Sequence, residues 1–363
     1  MNKAMSLEEL EQNGAVPALG MVEDVFERDL AYHALNNPQI PDGETVNICG
    51  TQLEARSLGI AEDFATPRAL RGAVLDGTLH IDYHDATQSG GSVVRLTKSL
   101  VAGSTFMFAN ENDVDLRWSP GTRVLICADG DGGRPLIGRQ VPQNGADDLL
   151  ALSDQELLAK IDDIDFGSVS AMQTVAAPLL QEIGSRRDLL RQLFETSEKD
   201  DYLRSKCEKL PDMYKFVLAE SPRKHARLRL HMFRTEYFDV PHSHRWAMTS
   251  YVISGTVTNK YYGADHDLLK TYNNAIPPVQ MCHRMPKGGV YSFDHTMIHW
   301  FHGTPGAVTL TIRGPVDKDI STEFGSEKLN QKFGVDAKME PDYMMTEEQY
   351  QSRRAILRTL NLV

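Results

Sequence analysis

The stretch 241–255, Pro-His-Ser-His-Arg-Trp-Ala-Met-Thr-Ser-Tyr-Val-Ile-Ser-Gly, constrains this chain more than any other feature. Its β-branched and aromatic residues favour an extended backbone, along which successive side chains point to opposite faces. His242 and His244 are therefore expected on one face, at a spacing that a single metal ion can bridge. The pair predicts a metal site built on β structure.

A second strand-like stretch, 288–299, ends in His299 and offers a third imidazole. His295 and His302 are the alternatives. His295 is expected in the turn that enters this strand, and His302 should point to the face opposite His299. Nine of the twelve histidines lie between residues 225 and 302, a crowding that is typical of a metal site.

The first stretch resembles the first conserved motif of the cupin superfamily, whose members are small β-barrels that hold one metal ion. That motif consists of His-x-His, a Glu a few residues later, and then a Gly. His242, His244 and Gly255 match it, whereas Met248 or Thr249 stands at the position of the Glu.

The second stretch resembles the second cupin motif, which ends in Pro-x-Gly-x-x-His. His299 matches the histidine, whereas Asp294 and Thr296 stand at the Pro and Gly positions. The resemblance covers residues 226–316. It implies a divergent cupin barrel, a double-stranded β-helix, with His242, His244 and His299 as metal ligands.

Loss of the motif's Glu leaves three neutral imidazoles, so a divalent ion would keep its full charge and open positions for substrate and dioxygen. Such a site resembles the three-His thiol dioxygenases of the cysteine dioxygenase group. In those enzymes a Cys near the lost Glu often cross-links to a Tyr, but Thr249 stands there in this chain.

The resemblance implies a non-haem Fe(II)-dependent oxygenase that acts, with dioxygen, on a small amino-acid-like or thiol metabolite. Imidazole ligands suit Zn(II), Mn(II) and Ni(II) as well. With one of those ions the same barrel would be a non-redox enzyme: an isomerase, a lyase or an N–N-forming condensing enzyme of a biosynthetic pathway. A metabolite-binding cupin without turnover is the third alternative.

Alternation along 227–233 and 307–315 places polar residues on one strand face and apolar residues on the other. The polar face is expected to line the barrel cavity, and it carries Arg229, His231 and Arg313. The two arginines could bind a substrate carboxylate bidentately, an external salt bridge being the alternative for each.

Two further residues are predicted near the metal from the first motif. Its Glu faces the metal at an odd offset from the second histidine, which implies a bulge between them. Thr249 and Tyr251 would then face inward. Tyr251 could hydrogen-bond to a bound substrate or oxygen species, with core packing as the alternative.

The fold class expected is mainly β with α. Strand-like runs predict a β-rich N-terminal domain over 1–145, either a degenerate second barrel or a cap. Helical texture predicts a linker layer over 146–225, opened by a capping box at 153–156 and ended by Ser221-Pro222. The barrel over 226–316 precedes a tail, 317–363, whose terminal helix begins at another capping box, 346–349.

Composition narrows the partners. A formal net charge of −12, without a run of Lys and Arg, argues against binding to nucleic acid or to an anionic membrane. Four scattered cysteines without a CxxC pair indicate reduced thiols, and the N-terminus lacks a signal-peptide pattern. We expect a cytoplasmic protein that binds a small molecule, and a homodimer remains open.

Overall fold

The structure is a computed structural model that describes residues 29–31, 33–49, 51–64, 67–86, 92–109, 113–131, 136–140, 147–210, 213–234, 240–272, 275–324 and 343–363. Two large β-sheets face each other, and helices cover part of their outer surface. The expected class, mainly β with α, is confirmed. None of the described helices combines the length and apolar character that crossing a membrane requires.

In the described ranges, nineteen strands build the two sheets. They are β1 (Thr45–Ile48), β2 (Thr51–Ser57), β3 (Ala61–Phe64), β4 (Pro67–Asp76), β5 (Thr78–Ala86), β6 (Ser92–Val101), β7 (Thr105–Ala109), β8 (Asp113–Trp118), β9 (Arg123–Asp131), β10 (Leu136–Gln140), β11 (Glu208–Lys209), β12 (Met213–Glu220), β13 (Arg227–Phe233), β14 (Met248–Ser254), β15 (Thr256–Ala264), β16 (Met281–Pro286), β17 (Val290–Phe293), β18 (Met297–Gly303) and β19 (Val308–Arg313).

Along the sequence, most helices lie between the strands of the N-terminal half and those of the C-terminal half. They are α1 (Asp147–Leu150), α2 (Asp154–Ala159), α3 (Val169–Ser185), α4 (Arg187–Lys199), α5 (Asp201–Arg204), α6 (Asp265–Tyr272) and α7 (Glu347–Thr359), with a short 3-10 helix at Lys160–Asp163. Both predicted capping boxes are confirmed, at Ser153 before α2 and at Thr346 before α7.

One sheet has the order β1-β2-β9-β4-β7-β16-β15-β18, and the other has the order β11-β12-β13-β19-β14-β17-β6-β5-β8-β10-β3. Strands from both halves of the chain therefore share each sheet. The halves join where β7 pairs with β16 and where β6 pairs with β17, both antiparallel. Within the C-terminal half, β13-β19-β14-β17 faces β18-β15-β16, a jelly-roll arrangement.

The C-terminal half carries the helical layer on the outside of its larger sheet. Leucines of α3 and α4 pack there with Leu228, Leu230 and Met232 of β13 in one buried cluster. The opposite face of β13 points between the sheets, where Phe233 joins the interior cluster. The predicted alternation along β13 is thereby confirmed, because hydrophobic burial on one face fixes strand parity.

One boundary differs from the prediction. Residues 208–209 and 213–220, expected within the helical layer, form β11 and β12, and Ser221-Pro222 follows a strand instead of ending a helix. β12 pairs with β13 along its whole length. Its run Met-Tyr-Lys-Phe-Val-Leu suits a strand buried on both faces, a pattern that periodicity alone does not separate from a helix.

The predicted short helix near Ser6–Gln12 lies outside the described residues.

Candidate metal centre

Three imidazoles converge at one end of the C-terminal sandwich. His242, His244 and His299 each offer a ring nitrogen, and these three atoms lie within 4.8 Å of one another. Nε2 of His244 is 2.9 Å from Nε2 of His299. Two nitrogens that each lie about 2.0–2.1 Å from one ion are separated by about 3 Å, so the His244–His299 pair has the separation of two ligands on a single ion, with His242 as the third candidate.

Backbone pairing holds two of the ligands side by side. The His242 N–H donates to the His299 carbonyl at 2.8 Å, and the His299 N–H donates to the His242 carbonyl at 2.9 Å. On the other side, the Ser243 N–H donates to the Thr322 carbonyl at 2.8 Å. Residues around His242 thus form a short bridged segment between β18 and 322–324, in place of the longer strand expected from the sequence.

The residue between the two histidines anchors this segment. Ser243 is fully buried, and its Oγ accepts hydrogen bonds from Lys318 Nζ at 2.7 Å and from the Thr322 N–H at 3.0 Å. Lys318 also forms an ion pair with Asp265. Sequence reasoning did not identify this cluster, because Ser243, the start of α6 at Asp265 and the segment with Lys318 and Thr322 are distant in the sequence and only the fold brings them together.

Each imidazole is held in a state suited to ligation. His242 Nδ1–H donates to the Val240 carbonyl at 2.9 Å, which leaves Nε2 as the ligating atom. Burial, with His242 and His299 nearby, lowers the pKa of His244 well below its usual range. Burial, with His242 and Lys98 nearby, does the same to the pKa of His299. Neutral imidazoles of this kind suit a transition metal.

The two alternative ligands lie elsewhere. His295 Nδ1 is 3.7 Å from Asp317 Oδ2, at the surface. The ring of His302 stacks on Trp300, 6.0 Å between centroids, and belongs to the outer face of β18. Within the described ranges, only the group His242, His244 and His299 has the spacing of a metal site.

Both predicted arginines, Arg229 and Arg313, lie beside this centre. Trp246 stacks on His244 at 5.8 Å between centroids, and the guanidinium carbons of Arg229 and Arg313 lie 5.5 and 5.1 Å from the Trp246 ring. Both arginines are buried, and Glu208 is 3.9 Å from Arg229. Burial, with Arg229 as neighbour, lowers the pKa of Arg313 to about 9.

The predicted His231 lies on the same interior face. Its Nδ1 is 3.4 Å from Thr311 Oγ1, and Thr311 is 2.7 Å from Ser250 Oγ. Its Nε2 is buried and has no hydrogen-bond partner in the described part of the chain. Burial, with Lys215 and Arg229 nearby, lowers the pKa of His231 well below its usual range, so the ring is neutral.

The prediction that Thr249 and Tyr251 face inward is wrong. Thr249 Oγ1 is 2.8 Å from Ser292 Oγ, and Tyr251 packs against α3 beside Gly184. The irregularity in β14 falls between Val252 and Ser254, beyond both residues, so no bulge reverses their parity. Met248 faces the interior instead, and it fills that position with an apolar thioether.

A second polar group, unanticipated in the sequence, borders the centre on its other side. Tyr261 stacks on His299 with centroids 6.1 Å apart, and Lys98 Nζ lies 3.9 Å from the centre of the Tyr261 ring. Lys98 Nζ is also 3.0 Å from Nδ1 of His283. Burial and, to a lesser extent, the charge of Lys98 lower the pKa of His283 well below its usual range. No motif links Lys98 to this site, because it comes from the N-terminal half.

Comparisons with known proteins identify no family. No protein-family model matches the chain, and no curated protein matches it either. Among solved structures, oxalate decarboxylase from Bacillus subtilis is 13% identical over 78% of this chain and 76% of that chain, with a TM-score of 0.25. That oxalate decarboxylase contains Mn(II) centres.

A second solved structure, KdgF from Halomonas sp., is 15% identical over 32% of this chain and 90% of that chain, with a TM-score of 0.23. Neither of these two proteins is described as a thiol dioxygenase.

Proposed function

We propose that this chain is a mononuclear metal-dependent enzyme acting on a small anionic metabolite, with His242, His244 and His299 as the protein ligands. The observation that carries the proposal is the convergence of three ring nitrogens within 4.8 Å at the end of a buried polar interior. The His-x-His pair and His299, 55 residues further along the chain, bring three imidazole nitrogens together, and neutral imidazole is a common ligand of transition metals.

The reaction class we favour is that of a non-haem Fe(II)-dependent oxygenase with an amino-acid-like or thiol substrate. Bound Fe(II) would supply open coordination positions for substrate and dioxygen, together with redox chemistry. The protein supplies no carboxylate ligand from β14, because Met248 occupies the interior position there.

The chain's own residues would bind and orient the substrate. Arg229 and Arg313 present two buried guanidinium groups on the same side of the centre, where a substrate carboxylate would replace part of their lost hydration. Trp246 fixes these groups and shields them from water. His231 could hold or accept a proton at Nε2.

A non-redox enzyme is the second candidate. Three neutral imidazoles also form the ligand set of catalytic zinc sites, which keep one further position for water or substrate. Zn(II), Mn(II) or Ni(II) at this centre would support an isomerase, a lyase or a condensing enzyme. A protein that binds a metabolite without turnover would share the same interior.

Elemental analysis tests the metal site first. Protein purified from unsupplemented cells is expected to contain close to one metal ion per chain, and the double variant His242→Ala, His244→Ala is expected to contain almost none. His302→Ala, on the outer face of β18, is the matched control and should retain the metal. A wild type that holds no metal and takes up none on reconstitution would sink the proposal.

Oxygen consumption then separates the reaction classes. Iron in the wild type, with substrate-dependent oxygen uptake in a screen of amino acids and thiols, would support the oxygenase. Zinc that survives dialysis, with no oxygen uptake, would favour the non-redox enzyme. Tight metabolite binding without any product would favour the binding protein.

A further inference from the structure

Four polar side chains lie deep in the interior, on the side of His299 away from Arg229 and Arg313. They are buried to within 1% of complete burial and come from β6, β15 and β16: Lys98, Asn259, Tyr261 and His283. Tyr261 connects the group to the centre, because its ring stacks on His299 and lies beneath the Lys98 ammonium. The group therefore belongs to the same interior as the candidate ligands.

Among the residues that the structure describes, several polar atoms of this group have no hydrogen-bond partner. They are the Tyr261 hydroxyl, His283 Nε2 and both side-chain atoms of Asn259. Since an ammonium group only donates, His283 Nδ1 accepts from Lys98 and the ring proton sits on Nε2. The group thus presents a hydroxyl, an imidazole N–H and an amide N–H beside an ammonium. Buried donors of this kind require an acceptor.

Strand register connects this group to the arginines. Lys98 pairs with Tyr291, Tyr291 with Ser250, Ser250 with Thr311 and Thr311 with Arg229, so the five residues form one row across the larger sheet. Four strand spacings of about 4.8 Å separate the two ends, about 19 Å along the sheet and less across its curved interior.

The middle of that row is polar and hydrogen-bonded. Ser250 Oγ is 2.7 Å from Thr311 Oγ1, and the Tyr291 hydroxyl hydrogen-bonds to Ser250. Polar side chains inside a β-sandwich are costly unless something pairs with them. The row has a cationic group at each end and hydroxyl groups between. Each end lies against an aromatic ring that stacks on a candidate ligand, Trp246 on His244 and Tyr261 on His299.

We propose that Lys98, Asn259, Tyr261 and His283 form a second carboxylate-binding subsite, opposite the one formed by Arg229 and Arg313. The substrate is accordingly a small metabolite with a carboxylate, or a comparable oxyanion, at each end and its reacting part between them at the three-His centre. This inference rests on the proposed function, because both subsites flank the candidate metal ligands.

Calorimetric titration with two matched ligand series tests the proposal. The α,ω-dicarboxylates from malonate to suberate are compared with monocarboxylates of equal chain length, using metal-loaded and metal-free protein. At the best length, the dicarboxylate is expected to bind at least about tenfold more tightly than its monocarboxylate partner. Longer and shorter members should lose that advantage.

Variants test whether this subsite causes the tighter binding of dicarboxylates. Lys98→Met and Tyr261→Phe should each reduce the dicarboxylate advantage while weak monocarboxylate binding persists. Lys260→Met is the matched control. Lys260 is a buried lysine like Lys98 and neighbours Tyr261 in β15, but it lies against Trp300 on the outer face. It should retain the advantage. Should Lys98→Met fail to fold, Tyr261→Phe and Asn259→Leu provide the same comparison.

Failure of the subsite and failure of the metal proposal give different results. Metal-loaded wild type that binds dicarboxylates no better than monocarboxylates at any length overturns the subsite and leaves the metal site standing. An advantage that survives both Lys98→Met and Tyr261→Phe also overturns it. A dicarboxylate advantage in protein that binds no metal would support the subsite and overturn the metal-dependent enzyme.

Discussion

The two halves of this molecule share both sheets, yet they fill the space between the sheets differently. In the N-terminal half, the interior positions of β4, β5, β8 and β9 carry apolar side chains: Leu70, Val74, Leu79, Ile81, Val114, Leu116, Trp118, Val124 and Ile126. In the C-terminal half, interior positions carry His231, Asn259 and His283. Lys98 of β6 is a polar exception in the N-terminal half, and apolar side chains such as Phe293 and Phe301 also pack in the C-terminal interior, so the halves differ in where buried polar groups are concentrated.

The polar residues of the N-terminal half show what distinguishes the two. Asp82 pairs with Arg117, and His80 Nδ1 is 2.9 Å from Ser99 Oγ, all on the faces of β5, β6 and β8 that point away from the interior. Because strand side chains alternate, a polar residue one position along faces the other side of the sheet. Parity, more than composition, therefore decides whether a polar side chain contributes to a cavity.

The largest expected effect is the loss of metal from the C-terminal half. His299→Ala removes one of three ligands and should weaken metal binding by more than about 100-fold. Substituting a residue that only supports a ligand weakens metal affinity by at most about that factor. His302→Ala, on the opposite face of the same strand, should leave metal content unchanged. Equal metal content in the two variants, measured by elemental analysis, would contradict the assignment.

An apolar truncation in the N-terminal half should affect stability and spare the metal. Phe108 is fully buried and stacks on Phe106 at 5.7 Å between centroids. Phe108→Ala is expected to lower the free energy of unfolding by about 3–5 kcal/mol, because a large cavity replaces packed atoms. Urea denaturation measures the loss. A cost below about 1 kcal/mol would mean that this interior is not closely packed.

Removing a polar side chain from the C-terminal interior should instead raise the free energy of unfolding. Asn259→Leu puts an apolar group of similar size in place of a buried amide. Among the described residues, the nitrogen and oxygen of that amide have no hydrogen-bond partner. The ligand-free protein should gain about 1–3 kcal/mol in unfolding free energy. The same urea titration gives the value. A loss of stability would show that Asn259 is hydrogen-bonded in solution, by water or otherwise.

A pH dependence is expected from the N-terminal half. Burial, with Arg117 as neighbour, lowers the pKa of His80 from 6.5 to about 4. Its stabilising contribution is full above pH 6.5 and is lost as the pH falls toward 4, because only the unfolded state takes up the proton. The slope is at most about 1.4 kcal/mol per pH unit.

The variant His80→Gln removes this contribution while an amide keeps a hydrogen-bonding group near Ser99. Stability curves of the wild type and the variant, measured by denaturation between pH 7 and pH 4, should therefore converge in acid. Parallel curves over that range would show that His80 titrates normally in the folded protein.

The sequence by itself determined the features that depend on local spacing. The capping boxes at Ser153 and Thr346, the alternation along β13 and the mainly β class all follow from residues within a few positions of one another. The resemblance of the two histidine motifs also placed His242, His244 and His299 in one hypothesis, and the structure brings their nitrogens together.

Tertiary structure decided what depends on pairing between distant strands. Lys98 reaches His283 across 185 residues of sequence, because β6 and β16 border the same interior. The parity of Thr249 and Tyr251 depends on where β14 departs from regular pairing with β19, and no local pattern shows that position. Local spacing fixes which face a residue shares with its neighbours, whereas long-range pairing decides what that face meets.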